Sequence, residues 1–283
     1  MSLSRMYEET EVSRDLRRIY GDIRTSLDLP WVPSIFKLAA GSPQYLSTMW
    51  HDLGPVARSR EFQAASKALE EFVRSLAVSD GWQFSAQDRV LAAQKFSVGD
   101  IEQLGGIINL FVRSIPKLAL FARLMQRGYS GGQRGRVTPV SQASALAKMI
   151  TLNVPGEKEA GLRTWLIYSD IRKTLGTRNV LTVFRMISPY PGYLASVWQE
   201  TKKIIAQPNF RAAQERVAQR SLGLIAGMPV KDHRKLSKSM APAEWREVEE
   251  LVDGLARVLP QTALMTAVWQ RSFPSYGAQV IAA

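Results

Sequence analysis

The feature that most constrains the fold of this chain is an internal repeat. A shift of 148 positions places residues 20–50 over residues 168–198 without a gap, and 11 of the 31 aligned positions are identical. Ordinary residue frequencies would give about two identities by chance. The identical pairs include Tyr20 with Tyr168 and Trp50 with Trp198. The sequence therefore predicts a duplicated structural unit.

The duplication continues beyond this stretch with small deletions. A shift of 144 positions places residues 113–120 over residues 257–264, with matching arginine, proline, alanine and leucine. A copy of about 110 residues is long enough for a helical domain. We predict a first helical repeat in residues 1–126, a glycine-rich basic linker and connecting segment in residues 127–160, and a second helical repeat in residues 161–283.

Hydrophobic residues within each copy follow the period of an α-helix. Apolar side chains recur at i, i+3, i+4 and i+7 in three clear stripes, a spacing that lines one helix face. They are Leu16, Ile19, Tyr20, Ile23 and Leu27; Phe62, Ala65, Leu69, Phe72, Val73 and Leu76; and Trp245, Val248, Val252 and Leu255. The last stripe starts just after Pro242, and proline is favoured at helix starts. We predict an all-α fold of two tandem homologous repeats, packed as an intramolecular pseudo-dimer.

Composition excludes several kinds of chemistry. The chain has no cysteine, which excludes thiolate metal sites and cysteine nucleophiles and fits a cytoplasmic location. Its two histidines have no second ligand at helical spacing, so we expect neither a metal site nor a cofactor. The longest apolar runs are shorter than the roughly 20 residues that span a bilayer, so we expect no membrane partner.

The net charge of +12 favours an anionic partner, such as a small carboxylate, a phosphate or a nucleic acid. Basic residues cluster in residues 127–136, yet this stretch is rich in glycine and lacks the alternating aromatic residues of nucleic-acid-binding segments. We interpret it as a solvated linker and favour a small anionic ligand over nucleic acid. A homodimer is also compatible with the pattern.

Comparison of the two copies separates residues that serve the fold from candidates for a site. Positions that stay alike are expected to serve the fold, whereas positions that diverge are expected to serve a site between the copies. The repeated Tyr/Asp/Arg trio, which includes Asp170, is therefore interpreted as structural. The segment 30–32, Pro-Trp-Val, which aligns with Arg-Asn-Val at 178–180, is a better candidate for function.

These residues carry a resemblance to a known family. Tyr20-x-Asp-Ile-Arg, then Pro-Trp-Val at 30–32, Pro-x-Tyr-Leu at 43–46 and Trp50 resemble the group I 2-haloacid dehalogenases. The resemblance implies an all-helical chain of two repeats with the active site between them, and cofactor-independent attack of an activated water on the halogen-bearing carbon. It makes Trp31 a wall of the site and places Ser34 where the family has an aromatic residue.

The same resemblance departs from the family at the general base. The family uses an aspartate in the second repeat, and the alternative alignments place it at Val183 or Val180, neither of which accepts a proton. Asp28 and Asp170 are the other acids that we consider for this role. Asn179 and Thr182 are expected to supply hydrogen bonds, and Arg178 or Arg185 a charge for the substrate carboxylate.

Two hypotheses for function follow. The first is a dehalogenase-like hydrolase that acts on a small halogenated carboxylic acid by direct water attack, with its base at another position. The second is a homologue that binds a small carboxylate or a protein partner without turning anything over. The sequence leaves open whether the protein is an enzyme.

Overall fold

Helices make up the regular structure of this protein. The computed structural model describes residues 3, 5–84, 87–140 and 154–274, except the side chains of residues 88 and 89. These residues contain α-helices, two 3-10 helices and two isolated bridges but no β-strand. The α-helices are α1 Arg14–Leu27, α2 Ser34–Ala39, α3 Pro43–Ala57, α4 Arg60–Ser79, α5 Gln87–Ala93, α6 Val98–Tyr129, α7 Leu162–Leu175, α8 Thr182–Met186, α9 Pro191–Ile205, α10 Pro208–Leu224 and α11 Pro242–Ser272. The predicted all-α class of two repeats is confirmed.

The helices begin where the sequence provides start signals. Helix α1 is capped by Ser13, whose hydroxyl accepts a hydrogen bond from the Leu16 N–H at 3.3 Å. Proline opens α3, α9, α10 and α11, including the predicted start at Pro242. Proline suits this position because its fixed φ matches the helix and its missing N–H would have no partner there.

Each repeat builds the same aromatic core. In the first repeat Phe36 packs edge-on against Trp50 at 5.6 Å and against Phe121 at 5.1 Å between ring centroids. In the second repeat Phe184 packs against Trp198 at 5.4 Å and against Trp269 at 5.2 Å. All six rings are buried. The duplicated helices therefore meet around duplicated phenylalanine and tryptophan residues.

The compact units of the fold do not coincide with the repeats of the sequence. One unit contains residues 1–69, 114–154 and 216–260, and the other contains 70–113, 155–215 and 261–283. Each unit thus combines the beginning and the end of one repeat with the middle of the other. The first and second repeats are units of sequence, whereas each compact unit adds the middle of one repeat to the aromatic core of the other.

The glycine-rich part of the predicted linker is packed rather than freely solvated. The Gln133 N–H donates to the Val230 carbonyl at 2.7 Å, and the Val230 N–H donates back at 2.9 Å. A Cβ at Gly132 would lie 2.7 Å from the Val230 oxygen, and one at Gly135 would lie 2.1 Å from the Gly227 oxygen. Glycine is required here because two backbones approach closely, which composition alone does not reveal. Residues 141–153 of the predicted linker lie outside the described residues.

Helix α6 is the most apolar long helix in the described part of the chain. By length and composition alone it could cross a membrane, although the sequence analysis predicted no such helix. About two thirds of its most apolar window, 67%, is buried inside the protein. This burial is typical of a core helix, for which a long apolar sequence is equally required.

Candidate functional site

The segment between α1 and α2 carries three of the predicted site residues. Asp28 ends α1 in the left-handed region with φ 51°, and it is half-buried. Trp31 follows and is 4% exposed, and Ser34 is the half-buried first residue of α2. Pro33 caps α2 without a side-chain hydrogen bond. Asp28, Trp31 and Ser34 therefore lie within seven residues of chain, on the turn that joins two helices.

Lys117 is a neighbour of this segment that the sequence analysis missed. Its Nζ donates to the Leu27 carbonyl at 3.0 Å, which brings an ammonium group to the residue before Asp28. The 144-residue shift aligns Lys117 with Gln261, so the charge exists in one copy only. This difference between the two copies is the sequence signal that could have identified Lys117 as a candidate site residue. A half-buried lysine at the end of α1 would attract an anionic substrate.

The segment between α7 and α8 carries the polar candidates of the second repeat. Arg178 is exposed, whereas Asn179 and Thr182 are half-buried. The segment is held by Glu157, whose carboxylate accepts from the Val180 N–H at 2.7 Å and from the Arg172 guanidinium at 2.7 Å. Glu157 therefore fixes the turn that carries these three side chains.

Arg185 is part of a repeated structural contact. It is 5% exposed, and its Nε donates to the Pro155 carbonyl at 2.7 Å. The 148-residue shift aligns Arg185 with Lys37, which is also buried and forms an ion pair with Glu8. A buried cation at the same place in both copies serves the fold. That Arg185 also meets a substrate carboxylate stays a prediction.

The two positions that the resemblance assigns to the general base are hydrophobic and inaccessible. Val180 and Val183 are each 1% exposed. A valine side chain accepts no proton, so neither can activate water. Any base must come from another residue.

Asp170 is engaged in structural hydrogen bonds. Its Oδ2 accepts from Lys202 Nζ at 2.7 Å and from Trp198 Nε1 at 2.7 Å. The hydrogen bond from Lys202, followed by that from Trp198, lowers the pKa of Asp170 below its usual value. A carboxylate with a lowered pKa is a weaker general base. Its counterpart Asp22 accepts from Trp50 at 2.7 Å in the same way, which is the structural role we predicted.

The predicted site residues fall into two groups. Asp28, Trp31 and Ser34 belong to the compact unit that contains residues 1–69, and Arg178, Asn179, Thr182 and Arg185 belong to the one that contains residues 155–215. A cleft between the repeats that unites the groups stays a prediction.

The described residues also contain an apolar space within one compact unit. It has no room for a water molecule and is lined by Phe84, Thr201, Ile204, Ile205, Phe210, Met265, Val268 and Trp269. The hydroxyl of Thr201 is occupied, because it accepts from Trp269 Nε1 at 2.9 Å. No charged side chain lines this space, so it does not suit a carboxylate. Among the described residues, no three His, Asp or Glu side chains gather where they could hold a metal ion.

Known proteins resemble this chain in both sequence and fold. The family model described as halocarboxylic acid dehydrogenase DehI matches residues 30–182 and 179–281, which together cover most of the chain. The (R)-2-haloacid dehalogenase of Pseudomonas putida is 24% identical over 81% of this chain and 77% of its own length. The (R)-2-haloacid dehalogenase of Rhizobium sp. (strain NHG3) is 23% identical over 80% of this chain and 88% of its own.

Two solved structures have the same fold. A D-2-haloacid dehalogenase mutant in complex with D-2-CPA aligns with TM-score 0.82 and 21% identity. A D-2-haloacid dehalogenase in complex with L-LA aligns with TM-score 0.83 and 20% identity. Each alignment covers 95% of this chain and 96% of the other. Because the family model spans nearly the whole chain, this protein belongs to the DehI family of haloacid dehalogenases.

Proposed function

We propose that this protein hydrolyses a small 2-halocarboxylic acid by direct attack of water. The oxygen of water bonds to carbon 2, the carbon–halogen bond breaks and the halide leaves with its electron pair. The products are a 2-hydroxy acid, a halide ion and one proton. The observation that carries the proposal is the match of the family model to both repeats, supported by relatives that are named as (R)-2-haloacid dehalogenases.

We assign Asp28 as the base that removes the proton from the attacking water. The two positions expected for the base are buried valines, which accept no proton. Asp170 already accepts hydrogen bonds from Trp198 and Lys202. Asp28 differs from its counterpart Gly176, as expected of a residue that serves a site. Its positive φ of 51° is shared with Gly176 at 63°, so this backbone conformation belongs to the repeated helix end, and only the carboxylate is particular to the first repeat.

The surroundings of Asp28 suit an anionic substrate. Lys117 supplies a positive charge beside the Leu27 carbonyl, where it would attract the substrate carboxylate. Trp31 would contribute an apolar wall, and the half-buried Ser34 a hydroxyl group. In this arrangement the aspartate accepts a proton while the lysine holds the anion, so the charge needed for binding is separate from the base.

Halide release tests the proposal. The purified protein is incubated with both enantiomers of 2-chloropropionate and 2-bromopropionate, and free halide is measured over time. Asp28→Asn should lower kcat by about 100-fold or more with little change in KM, because general bases contribute about 10² to 10⁴ in rate. Lys117→Met should mainly raise KM. Asp170→Asn is the matched control and should retain kcat. Absence of halide release by the unmodified protein across the panel would overturn the hydrolysis.

A second candidate function is supported by the same two valines. Val180 and Val183 are buried at the positions of the expected base and cannot accept a proton. Without a base, the protein would bind a small carboxylate and leave it unchanged. Thermal unfolding in the presence of 2-hydroxy and 2-halo acids distinguishes the candidates, since a ligand that binds only the folded state raises Tm. A raised Tm without halide release supports binding alone, and halide release that depends on Asp28 excludes it.

A further inference from the structure

A second polar cluster joins the last turns of α6 to the middle of α11, within the compact unit that contains residues 1–69. Asp253 Oδ1 accepts a hydrogen bond from the Tyr129 hydroxyl and another from Gln126 Nε2, the latter at 2.8 Å. Gln126 Oε1 in turn accepts from Arg123 Nη1 at 2.8 Å. A cation and an anion are therefore held on either side of one amide group.

The equivalent place in the other compact unit keeps the framework of this cluster but not its charges. The glutamine is kept, and Gln270 donates to Asn109 as its counterpart donates to the aspartate. The charged and phenolic residues are aligned by the 144-residue shift with uncharged ones: Arg123 with Ala267, Tyr129 with Phe273 and Asp253 with Asn109. The fold therefore does not require these three groups. Their divergence is what we expect of residues that serve a site.

Arg123 is half-buried without a carboxylate to balance its charge. It forms no ion pair with any described residue, and its Nε is buried without a hydrogen-bond partner there. Burial lowers the pKa of Arg123, although the nearby Asp253 and Tyr129 favour its charged form. A guanidinium group in such surroundings is stabilised by an anion that accepts from its unpaired donors.

A tyrosine hydroxyl beside the cluster also lacks a partner. Tyr45 is fully buried, and its hydroxyl forms no hydrogen bond with any described group. It lies close enough to Tyr129 to affect that residue electrostatically: the pKa of Tyr129 is raised first by burial, then by Asp253, and also by Tyr45. Buried hydroxyl groups are almost always hydrogen-bonded. Two unpaired donors in one cluster therefore point to a ligand.

We propose that this cluster binds a small α-amino acid, whose carboxylate pairs with Arg123 and whose ammonium group pairs with Asp253. The two hydrogen bonds of Gln126 hold Arg123 Nη1 no more than about 8 Å from Asp253 Oδ1, a gap that an α-amino acid spans with one hydrogen bond at each end. Because Asp253 is exposed and Arg123 is half-buried, the ligand would enter with its carboxylate first.

The charges of the cluster favour a zwitterion over a simple acid. One guanidinium and one carboxylate match a ligand that carries one charge of each sign. A 2-halo acid would leave Asp253 without a donor, because a halogen donates no hydrogen bond, and a 2-hydroxy acid would offer it a hydroxyl but no positive charge. The ligand is therefore neither the substrate nor the product of the hydrolysis proposed above, and this inference does not depend on that reaction.

Ligand-observed NMR titration of the full chain with L-alanine tests the site. We expect a Kd on the order of 1 mM or lower, because two charge-assisted hydrogen bonds hold the ligand. Propionate and ethylamine each carry only one of the two charges, so each should bind at least about tenfold more weakly. Absence of alanine binding up to about 10 mM would overturn the proposal. Propionate that binds as tightly as alanine would do the same.

Substitutions that copy the other repeat test the two charged residues. Arg123→Ala and Asp253→Asn should each raise the Kd for alanine at least about tenfold. Because the chain already folds with alanine and asparagine at the equivalent positions, circular dichroism and Tm should change little. Arg127→Ala is the matched control, since it removes an equal charge from an exposed site on the same helix, and it should leave the Kd unchanged. Equal losses in Arg123→Ala and Arg127→Ala would assign binding to the overall charge and overturn the site.

The ratio of two affinities tests the role of Asp253 independently of stability. Asp253→Asn should remove the preference for alanine over propionate, because the ammonium group then has no carboxylate to pair with. Partial unfolding lowers both affinities together and leaves their ratio unchanged. A preference that is the same in Asp253→Asn and in the unmodified protein would overturn the assignment of the ammonium group to Asp253.

Discussion

Helices α1 and α7 descend from one duplicated segment, and they are alike in buried side chains and in the aspartates that accept hydrogen bonds. Tyr20 and Tyr168 are both in the core, and Trp50 and Trp198 each donate an indole N–H to an aspartate of their own repeat at 2.7 Å. The exposed residues have changed from arginine in α1 to leucine and tryptophan in α7. The comparison shows which contacts the fold requires and which surfaces became free to change.

The repeated aspartates form an ion pair in both copies, although the cationic residue that they pair with differs. Asp22 forms an ion pair with Arg58 at 2.9 Å, and Asp170 forms one with Lys202 at 2.7 Å. These two cations are not equivalent in the repeat, because Arg58 lies one helical turn beyond the position that aligns with Lys202. The negative charge is balanced in both copies, although a different residue supplies the positive charge.

The largest expected effect tests whether the two aromatic cores are equivalent. Phe36→Ala and Phe184→Ala each remove a fully buried ring that contacts two other rings. Each substitution should lower the free energy of unfolding by about 3 to 5 kcal/mol through lost burial and a residual cavity. Urea unfolding followed by tryptophan fluorescence measures both. Losses that differ by more than about 2 kcal/mol would show that the cores are not energetically equivalent.

The next effect concerns the hydrogen bonds of the tryptophans. Trp50→Phe and Trp198→Phe keep an aromatic ring but remove the N–H that Asp22 and Asp170 accept. We expect each to lower the free energy of unfolding by about 1 to 2 kcal/mol, because a hydrogen bond to a charged group is lost. Trp198→Phe should cost slightly more, since Lys202 also lies over the Trp198 ring at 5.9 Å. Equal unfolding curves for unmodified and substituted protein would contradict a stabilising role.

The sequence predicted the helices well because their signals are local. The stripe in α1 is confirmed, with Leu16, Ile23 and Leu27 buried, and the helix expected after Pro242 begins there. Periodicity describes only which face of a helix is apolar. It contains no information about which distant segments pack together, so it could not predict that each compact unit takes the middle of the other repeat.

The site was harder to predict for the same reason. Lys117 reaches the end of α1 from a helix that begins about 70 residues later. The glycine-rich segment was predicted to be a solvated linker, and this prediction was wrong at Gly132, where two backbones are in close contact. Composition does not distinguish flexible glycines from glycines that permit such contact.

A smaller effect compares the ends of α1 and α7. Asp28 and Gly176 occupy equivalent positions, and both have positive φ, 51° and 63°. Asp28→Gly should raise the free energy of unfolding by about 0.5 to 1 kcal/mol, because glycine adopts this conformation without strain, and Gly176→Asp should lower it by a similar amount. Thermal unfolding measures both. If Asp28 is the base, Asp28→Gly also abolishes halide release, so stability rises while activity is lost. A loss of stability in Asp28→Gly would contradict the strain.

The smallest effect is a pH dependence that arises from Asp170. Its pKa is lowered in the folded protein, chiefly by the hydrogen bond from Lys202 and then by that from Trp198. An unfolded aspartate has a pKa of about 3.9, so the stabilisation is fully present above this value and is lost as the pH falls through the lower folded pKa.

Asp170→Asn isolates this pH dependence. Because the Asp170 side chain is 41% exposed, the ion pair should contribute no more than about 1 kcal/mol and should weaken in high salt. The difference in unfolding free energy between unmodified protein and Asp170→Asn should be constant from pH 5 to pH 7 and shrink below about pH 4. Urea unfolding at a series of pH values measures it. A difference that persists unchanged at pH 2.5 would mean that the carboxylate charge does not stabilise this repeat.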